Sequence, residues 1–391
     1  MPASAEIRQR RLRALGVLAG VAGVLGIVVG SGSGDDEAEA PPLAAYCERA
    51  STTPLQVAGQ GVVVRMEDTA TPRLMKLARS GQIGGVTLFP SDKVKTDQLS
   101  NQIRALQSAA EAGGNPPLLI SIDQEGGIVK RLPLLPPQIA PYTLGQNNDP
   151  GGSKLEGKAA GYQLRQLGIG VDLAPVLDVP MTSEQFMVSR AFGTSPEKVS
   201  TLGNAFAQGM MSRGVAATAK HFPGLGRAVE NTDYAPTTIT ASKAELRQDF
   251  TPFRAAIKAG VPMIMVSLAA YPALGDEAGT PAALSRAVVT STLRKKLGFE
   301  GVVISDDLLA PAVSGAFSPK KAAIAAARAG VDLKLFANAR VDGIAQALVK
   351  PGVIPSGSLR QTCDRVATLK AAIAERSPEL VPVASADSDT Q

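Results

Sequence analysis

Eight short apolar runs alternate with longer stretches of helical character, and this alternation constrains the fold more than any other feature of the chain. The runs are rich in β-branched residues, which favour strands. They lie at 62–65, 85–89, 118–122, 171–174, 217–220, 263–267, 302–305 and 332–336. Eight strands that each precede a helix predict an α/β fold of the (β/α)₈, or TIM-type, barrel class in a single domain. The alternative is an open, doubly wound parallel sheet.

The stretches between the runs carry helix start signals. Predicted helices lie at 97–112, 157–167, 195–213, 241–259, 285–297 and 318–329. Ser195 and Ser318 each stand directly before a proline. Each serine therefore offers a capping hydroxyl, and each proline suits the first helical position, where its missing N–H costs nothing.

The residues before the first strand have a different character. Four arginines in the first thirteen residues precede an uncharged apolar run at 14–30. This pattern is typical of a signal peptide or membrane anchor, with the remainder of the chain outside the cytoplasm. We therefore expect an extracytoplasmic protein, either secreted or anchored through residues 1–30. An uncleaved anchor is favoured because Pro41 follows the small-x-small site at 38–40.

The remaining boundaries follow from composition. Residues 31–44 are rich in Gly, Ser, Pro and acidic residues, which predicts a flexible linker. The barrel domain is expected at 45–376, and the polar residues 377–391 are expected to be a disordered tail.

Charge and aromatic content limit the kinds of ligand that are expected. The net charge is +5, and part of the basic excess lies in the first thirteen residues, so nucleic acid is not an expected partner. Aromatic residues make up 4% of the chain and tryptophan is absent, which favours a small ligand.

In an exported protein, Cys47 and Cys363 are candidates for a disulfide, because the two ends of a closed barrel lie near each other. Two unpaired buried thiols are the alternative.

Ionisable residues directly follow several of the predicted strands. Because the carboxyl ends of barrel strands meet at one rim, these side chains are expected to surround one site. They are Asp123, Asp178, Lys220, His221, Asp306 and Asp307. Taken singly, each has a structural interpretation, such as a loop cap, a buried ion pair or a helix start. Together, carboxylates with cations at one rim suit the cleavage of a glycosidic bond.

His221 is the only histidine in the chain, and this removes several chemistries. A histidine-rich zinc site is excluded, and neither a phosphate-binding Gly-x-x-x-x-Gly-Lys loop nor a Gly-x-Ser-x-Gly elbow is present. We therefore expect no metal and no cofactor.

Seven segments, in this order, resemble the family 3 glycoside hydrolases, and in particular the single-domain bacterial β-N-acetylglucosaminidases that act on cell-wall fragments. The resemblance covers about residues 55–350. The segments are Gly84–Phe89, Ile122–Gly127 with Lys130 and Arg131, Val171–Asp178, Ser189–Gly193, Lys220–Gly224, Pro281–Ser285 and Leu297–Leu308.

This resemblance implies a retaining exo-hydrolase for the terminal N-acetylglucosamine of peptidoglycan-derived or related glycans. Asp306 would be the nucleophile that forms a covalent glycosyl-enzyme. Asp178 would orient Lys220 or Arg190, and Asp307 would be structural. The residues implied to hold the hydroxyl groups of the terminal sugar are Asp123, Arg131, Arg190, Lys220 and His221.

The chain departs from the family pattern on the loop after the fifth strand. Leu225 replaces a histidine, and Asn231, Thr232 and Asp233 stand where relatives carry Asp-Ser-His, whose histidine is the acid/base. An aspartate can replace a histidine in this role where burial or a neighbouring carboxylate raises its pKa. Asp233 is therefore the predicted acid/base, and Glu230 is a second candidate. Two alternatives are a membrane-tethered sugar-binding pseudoenzyme and a family 3 β-glucosidase.

Overall fold

The computed structural model describes residues 43–182, 185–275, 279–337 and 342–376. The predicted signal or anchor segment, the linker up to residue 42 and the tail from residue 377 lie outside these residues. Within the described ranges, none of the helices combines the length and the apolar character that crossing a membrane requires.

Eight parallel strands form the centre of the fold. Neighbours along the chain pair with each other, and β8 pairs with β1, where Val62 lies opposite Lys334. A bridge between Ile304 and Leu333 joins β7 to the start of β8 and closes the ring. The predicted barrel is therefore confirmed, and the open-sheet alternative is wrong. The strands are β1 Val62–Met66, β2 Gly85–Leu88, β3 Leu119–Ile122, β4 Val171–Asp172, β5 Ala216–Phe222, β6 Met263–Val266, β7 Val302–Ser305 and β8 Lys334–Phe336.

Helices surround this ring. In chain order they are α1 Pro54–Gly59, α2 Pro72–Arg79, α3 Thr96–Glu111, α4 Pro141–Asn147, α5 Pro150–Gln166, α6 Pro196–Met211, α7 Lys243–Asp249, α8 Thr251–Lys258, a π-helix at Ala287–Lys296, α9 Pro311–Ser314, α10 Pro319–Ala329, α11 Ile344–Leu348 and α12 Ser356–Glu375. Short 3₁₀ turns lie at Leu43–Glu48, Val188–Arg190, Pro272–Leu274 and Ala282–Leu284. A two-stranded hairpin, Gln124–Gly126 with Val129–Lys130, follows β3.

Three helix predictions need correction. The helix predicted from 157 begins at Pro150, where Asp149 caps it by accepting a bond from the Gly152 N–H. The single helix predicted at 241–259 is two helices, because Pro252 has no N–H to continue the ladder from α7. Ser195 caps α6 as expected, but the Ser318 side chain makes no capping bond.

Two hydrophobic layers hold the barrel together. One layer fills the space between the sheet and the helices, and the other fills the interior of the ring with alternate strand side chains such as Val63, Leu119 and Ile304. Val366 and Leu369 of α12 belong to the inner layer. They close the N-terminal end of the strands, called the foot below, and leave the C-terminal end, called the mouth, open for a site.

A disulfide joins the first described turn to the last helix. Cys47 and Cys363 are bonded, with their Cα atoms 5.9 Å apart. Of the two alternatives that the sequence left open, the structure therefore has the bridge. It ties the segment before β1 to α12 at the foot, and it closes a loop of more than three hundred residues, because the two cysteines are 316 positions apart in the sequence.

Candidate active site

A cavity of about 340 Å³ opens at the mouth of the barrel. Its walls come from the ends of most of the strands and from the loops that follow them. The lining includes Phe89, Asp123, Glu125, Arg131, Leu173, Arg190, Lys220, His221, Leu225, Asn231, Thr232, Asp233, Met265, Asp306, Asp307 and Leu335. All the sequence-predicted sugar-holding residues and both predicted catalytic aspartates are therefore in one cavity.

Lys220 lies at the centre of a buried network of charges. Its Nζ lies 2.7 Å from Asp123 Oδ1 and 2.6 Å from Glu125 Oε1. Arg190 donates from Nε and Nη2 to the two oxygens of Glu125, at 2.9 and 2.7 Å. This fork-to-fork pairing is the strong and directional form of a charged hydrogen bond. The network fixes the positions of Asp123, Lys220 and Arg190 before a ligand arrives.

The network keeps Glu125 and Lys220 charged despite burial. The Glu125 side chain is only 1% exposed, and burial alone would raise its pKa. The charges of Lys220 and Arg190 outweigh burial and lower the pKa of Glu125 to about 2. Burial likewise opposes the charge of Lys220, but the carboxylates of Asp123 and Glu125 raise its pKa above the ordinary value.

Arg131 lies at the outer edge of this network. Its guanidinium stacks over the Phe89 ring at 4.5 Å from the centroid, and its Nη2 lies 3.8 Å from Asp123 Oδ2. A cation over an aromatic face is attracted by the ring's quadrupole. Since 3.8 Å is longer than a hydrogen bond, Nη2 of Arg131 keeps donors available in the cavity.

Asp178 orients His221, not Lys220 or Arg190 as the sequence suggested. Its Oδ2 lies 2.7 Å from His221 Nδ1, and its Oδ1 accepts the backbone N–H groups of His221 and Leu225 at 3.2 and 2.6 Å. The expectation was wrong because Lys220 already pairs with Asp123 and Glu125, and Arg190 already pairs with Glu125. A carboxylate oxygen accepts hydrogen bonds, so Nδ1 is the donor in this contact and Asp178 fixes the orientation of the imidazole ring.

Asp306 follows β7 directly and is half-buried in the cavity. Its N–H donates to the carbonyl of Val266 at 3.0 Å, which ties it to β6. Burial raises the pKa of Asp306, the charge of His221 opposes this, and the charge of Asp233 adds to it. The neighbouring Asp307 instead accepts the N–H groups of Leu309 and Ala337, at 3.0 and 2.9 Å, and so joins the ends of β7 and β8.

The loop after β5 brings Asp233 to the cavity. Asp233 is exposed, lines the cavity with Asn231 and Thr232, and is close enough to act on the charge state of Asp306. Glu230, the second candidate, is exposed and is not part of the cavity wall. Of the two loop carboxylates, the geometry favours Asp233.

Glu125 and Phe89 were missed at the level of sequence. A signal for Glu125 was available, because it lies two residues after Asp123 and side chains two apart in an extended segment share a face. Phe89 directly follows β2 and gave no chemical signal of its own. Across the described residues, no group of three or more His, Cys, Asp or Glu side chains is placed to hold a metal ion.

The model of the glycosyl hydrolase family 3 N-terminal domain matches residues 58–369. The chain therefore belongs to glycosyl hydrolase family 3, and it is a glycosidase. The resemblance inferred from the motifs is confirmed.

Individual relatives are similar along most of the chain. It is 36% identical over 344 residues to an uncharacterized secreted glycosyl hydrolase of Arthroderma benhamiae, covering 84% of this chain and 96% of that protein. It is 31% identical over 388 residues to beta-hexosaminidase LpqI of Mycobacterium tuberculosis, covering 92% and 97%. A solved family 3 beta-N-acetylglucosaminidase from Paenibacillus sp. is 32% identical with a TM-score of 0.79, covering 87% of this chain and 66% of that one. This chain thus spans about two thirds of the Paenibacillus protein.

Proposed function

We propose that this glycosidase is a retaining exo-β-N-acetylglucosaminidase with Asp306 as nucleophile and Asp233 as acid/base. The observation that carries the proposal is that these two carboxyl groups line one cavity from separate elements, the end of β7 and the loop after β5. Retaining hydrolysis requires such a pair, one group for the anomeric carbon and one for the leaving oxygen.

The charged network supports a role in holding the terminal sugar. Asp123 supplies carboxylate acceptors, Lys220 and Arg131 supply donors, and the imidazole of His221 adds a further polar group. Vicinal hydroxyl groups are matched by such paired donors and acceptors, and rigid placement of the ring over a nucleophile lowers the entropic part of the barrier. The cavity is closed at its base by Leu173, Met265 and Leu335, which favours removal of a terminal sugar over internal cleavage.

The chemistry proceeds in two steps. Asp306 attacks the anomeric carbon while Asp233 gives its proton to the glycosidic oxygen, so the bond to the aglycone breaks and a glycosyl ester forms. Asp233, now ionised, then removes a proton from water, which attacks the anomeric carbon and releases Asp306.

The names of the relatives support the sugar and the location. Beta-hexosaminidase and beta-N-acetylglucosaminidase relatives favour N-acetylglucosamine over glucose at the terminal position. The secreted relative from Arthroderma, together with the apolar N-terminal segment, supports an extracytoplasmic enzyme. We place its catalytic domain at 45–376 and include peptidoglycan-derived glycans among its substrates.

A panel of aryl glycosides tests the proposal. Wild-type protein should release the chromophore from an aryl N-acetyl-β-glucosaminide much faster than from the aryl β-glucoside. Asp306→Asn should lower kcat/KM by about a thousandfold or more because no covalent intermediate forms. Equal rates for wild type and Asp306→Asn would refute the role of Asp306, and a preference for the glucoside would make the protein a β-glucosidase.

Asp233→Ala completes the panel. Its loss of activity should grow as the leaving group becomes poorer, and azide should restore turnover on an activated glycoside by replacing the water that Asp233 activates. Glu230→Ala is the matched control on the same loop. A larger loss in Glu230→Ala than in Asp233→Ala would transfer the acid/base role to Glu230.

A further inference from the structure

The loop that carries Asp233 is fastened at both ends to the barrel. At its start, Leu225 is buried and donates its N–H to Asp178, and a Cβ at Gly226 would collide with the backbone of Val179. Towards its end, Thr232 is buried and its carbonyl accepts the Ala312 N–H at 3.3 Å. Between these points Ala228 is buried, whereas Val229 and Glu230 are exposed. Asp233 directly follows Thr232, so the path of the loop up to that residue determines where Asp233 stands.

Arg227 adds a charged anchor in the middle of this loop. Its side chain is 12% exposed, and its Nε donates to Asp249 Oδ2 at 2.7 Å, while its Nη1 lies 3.6 Å from the exposed Glu245. Among the described residues, Arg227 is the side chain of residues 223–242 that forms ion pairs with the surrounding helices. Asp249 is buried at the end of α7, and its second oxygen has no hydrogen-bond partner there. Arg227 is thus the cation that compensates a buried carboxylate.

The partner of Arg227 is held rigidly against β5. Phe250 follows Asp249 and stacks on Phe222 at the end of β5, with ring centroids 5.6 Å apart. Phe253 meets the same ring edge-on at 5.4 Å. Such aromatic pairs add specific geometry to the buried area. Arg227 therefore ties the loop to the strand that carries Lys220 and His221.

We propose that Arg227 is a positioning residue, whose ion pair with Asp249 holds the loop so that Asp233 stays in the cavity beside Asp306. The inference rests on the proposed function of Asp233. Loss of the pair releases the middle of the loop and misplaces the proton donor, while the nucleophile and the sugar-holding network keep their own contacts. Because small displacements of a catalytic group are costly, the consequence falls on the proton-transfer step.

The test compares kcat/KM for two N-acetyl-β-glucosaminides. One carries a poor leaving group, a second N-acetylglucosamine, and the other carries 2,4-dinitrophenolate, which departs without protonation. Arg227→Gln should lower kcat/KM about tenfold or more on the first substrate and less than about twofold on the second. Arg227→Lys, which keeps the cation, should recover most of the loss. Arg247→Gln, an exposed arginine on α7, is the matched control.

A double variant separates positioning from general destabilisation. In an Asp233→Ala background, Arg227→Gln should cause no further loss on either substrate, because the group it positions is absent. An equal loss on both substrates, or a full additional loss in that background, would overturn the role of Arg227 while leaving that of Asp233 intact. An Asp233→Ala variant without leaving-group dependence would instead overturn the assignment of the acid itself, and with it this inference.

Discussion

Buried lysines at the two ends of the barrel have pKa values that are shifted in opposite directions. At the mouth, Lys220 contacts two carboxylates, and these raise its pKa although burial opposes them. At the foot, Lys370 contacts the Gln60 amide oxygen at 2.7 Å, and Lys334 contacts the Asp332 carbonyl at 2.7 Å. Burial then lowers the pKa of Lys370 to about 7 and that of Lys334 to about 8. Pairing with carboxylates, not burial, decides whether the pKa of a buried lysine is raised or lowered.

The two ends differ in the partners that they offer a buried lysine. The carboxylate nearest to Lys334, Asp332, is already taken by Arg294 and Arg365, at 2.5 and 3.0 Å. The foot therefore leaves its lysines with neutral partners and is closed by α12. At the mouth, which is the proposed sugar site, Lys220 and Arg190 pair with carboxylates, and this pairing offsets the burial of their charges. A buried charged set of this kind costs desolvation and is retained where function requires it.

The largest effect is expected from breaking the mouth network at Glu125. Glu125→Gln removes the carboxylate shared by Lys220 and Arg190 and leaves two buried cations underpaired. Removing one partner of a buried ion pair typically costs about 3–5 kcal/mol of the free energy of unfolding. Chemical denaturation at pH 7 measures this loss, and sugar affinity should fall with it. Glu111→Gln, an exposed carboxylate on α3, is the matched control.

The pH dependence gives this prediction a second check. The pKa of Glu125 is lowered in the folded state, so its contribution to stability is complete above its ordinary pKa of 4.5 and is lost as the pH falls towards about 2. The stability difference between wild type and Glu125→Gln should narrow over that window. A difference that is constant down to pH 2, or absent at pH 7, would contradict a charged network at the mouth.

A smaller and opposite effect is expected at the foot from Lys370→Met. The folded state lowers the pKa of Lys370 from 10.5 to about 7. Between these two values, Lys370 is protonated in the unfolded chain and neutral in the folded protein. Wild-type stability should therefore rise from pH 7 towards pH 10, and one such group contributes a slope of at most about 1.4 kcal/mol per pH unit. Lys370→Met should flatten this slope, measured by denaturation at several pH values.

The control for the foot is Lys158→Met on α5, where the lysine is exposed. It should leave the slope unchanged. If Lys370→Met kept the wild-type slope, or if stability fell between pH 7 and pH 10 because of this residue, then Lys370 would be charged in the folded protein. The contrast between mouth and foot would then disappear.

The barrel could be predicted from sequence because its signals are local. β-branched runs such as 302–305 favour the strand conformation by themselves, and all eight predicted runs overlap the observed strands. The helix boundaries were less accessible. Asp149 and Pro150 start α5 seven residues before the predicted helix, because no apolar period marks its first two turns, where Gly151 and Gly152 lie.

The contacts within the site were harder to predict than its membership. Which cation Asp178 orients depends on the competition with Glu125, and that competition exists only once three strand ends converge. The same limit applied to the cysteines, since both the bridge and the free thiols agreed with the sequence. The residues that gather in the cavity could be predicted from their types and places after the strands, whereas their pairing, which depends on three-dimensional distance, could not.

The central claim is that Asp306 forms a covalent bond to the sugar, and trapping measures it most directly. A 5-fluorinated N-acetyl-β-glucosaminyl fluoride destabilises both transition states and carries a good leaving group, so the glycosyl-enzyme should accumulate. Mass spectrometry of the digested protein should find one added sugar on the peptide that contains Asp306, and none in Asp306→Asn. An adduct on a different residue, or inactivation without any adduct, would contradict this account.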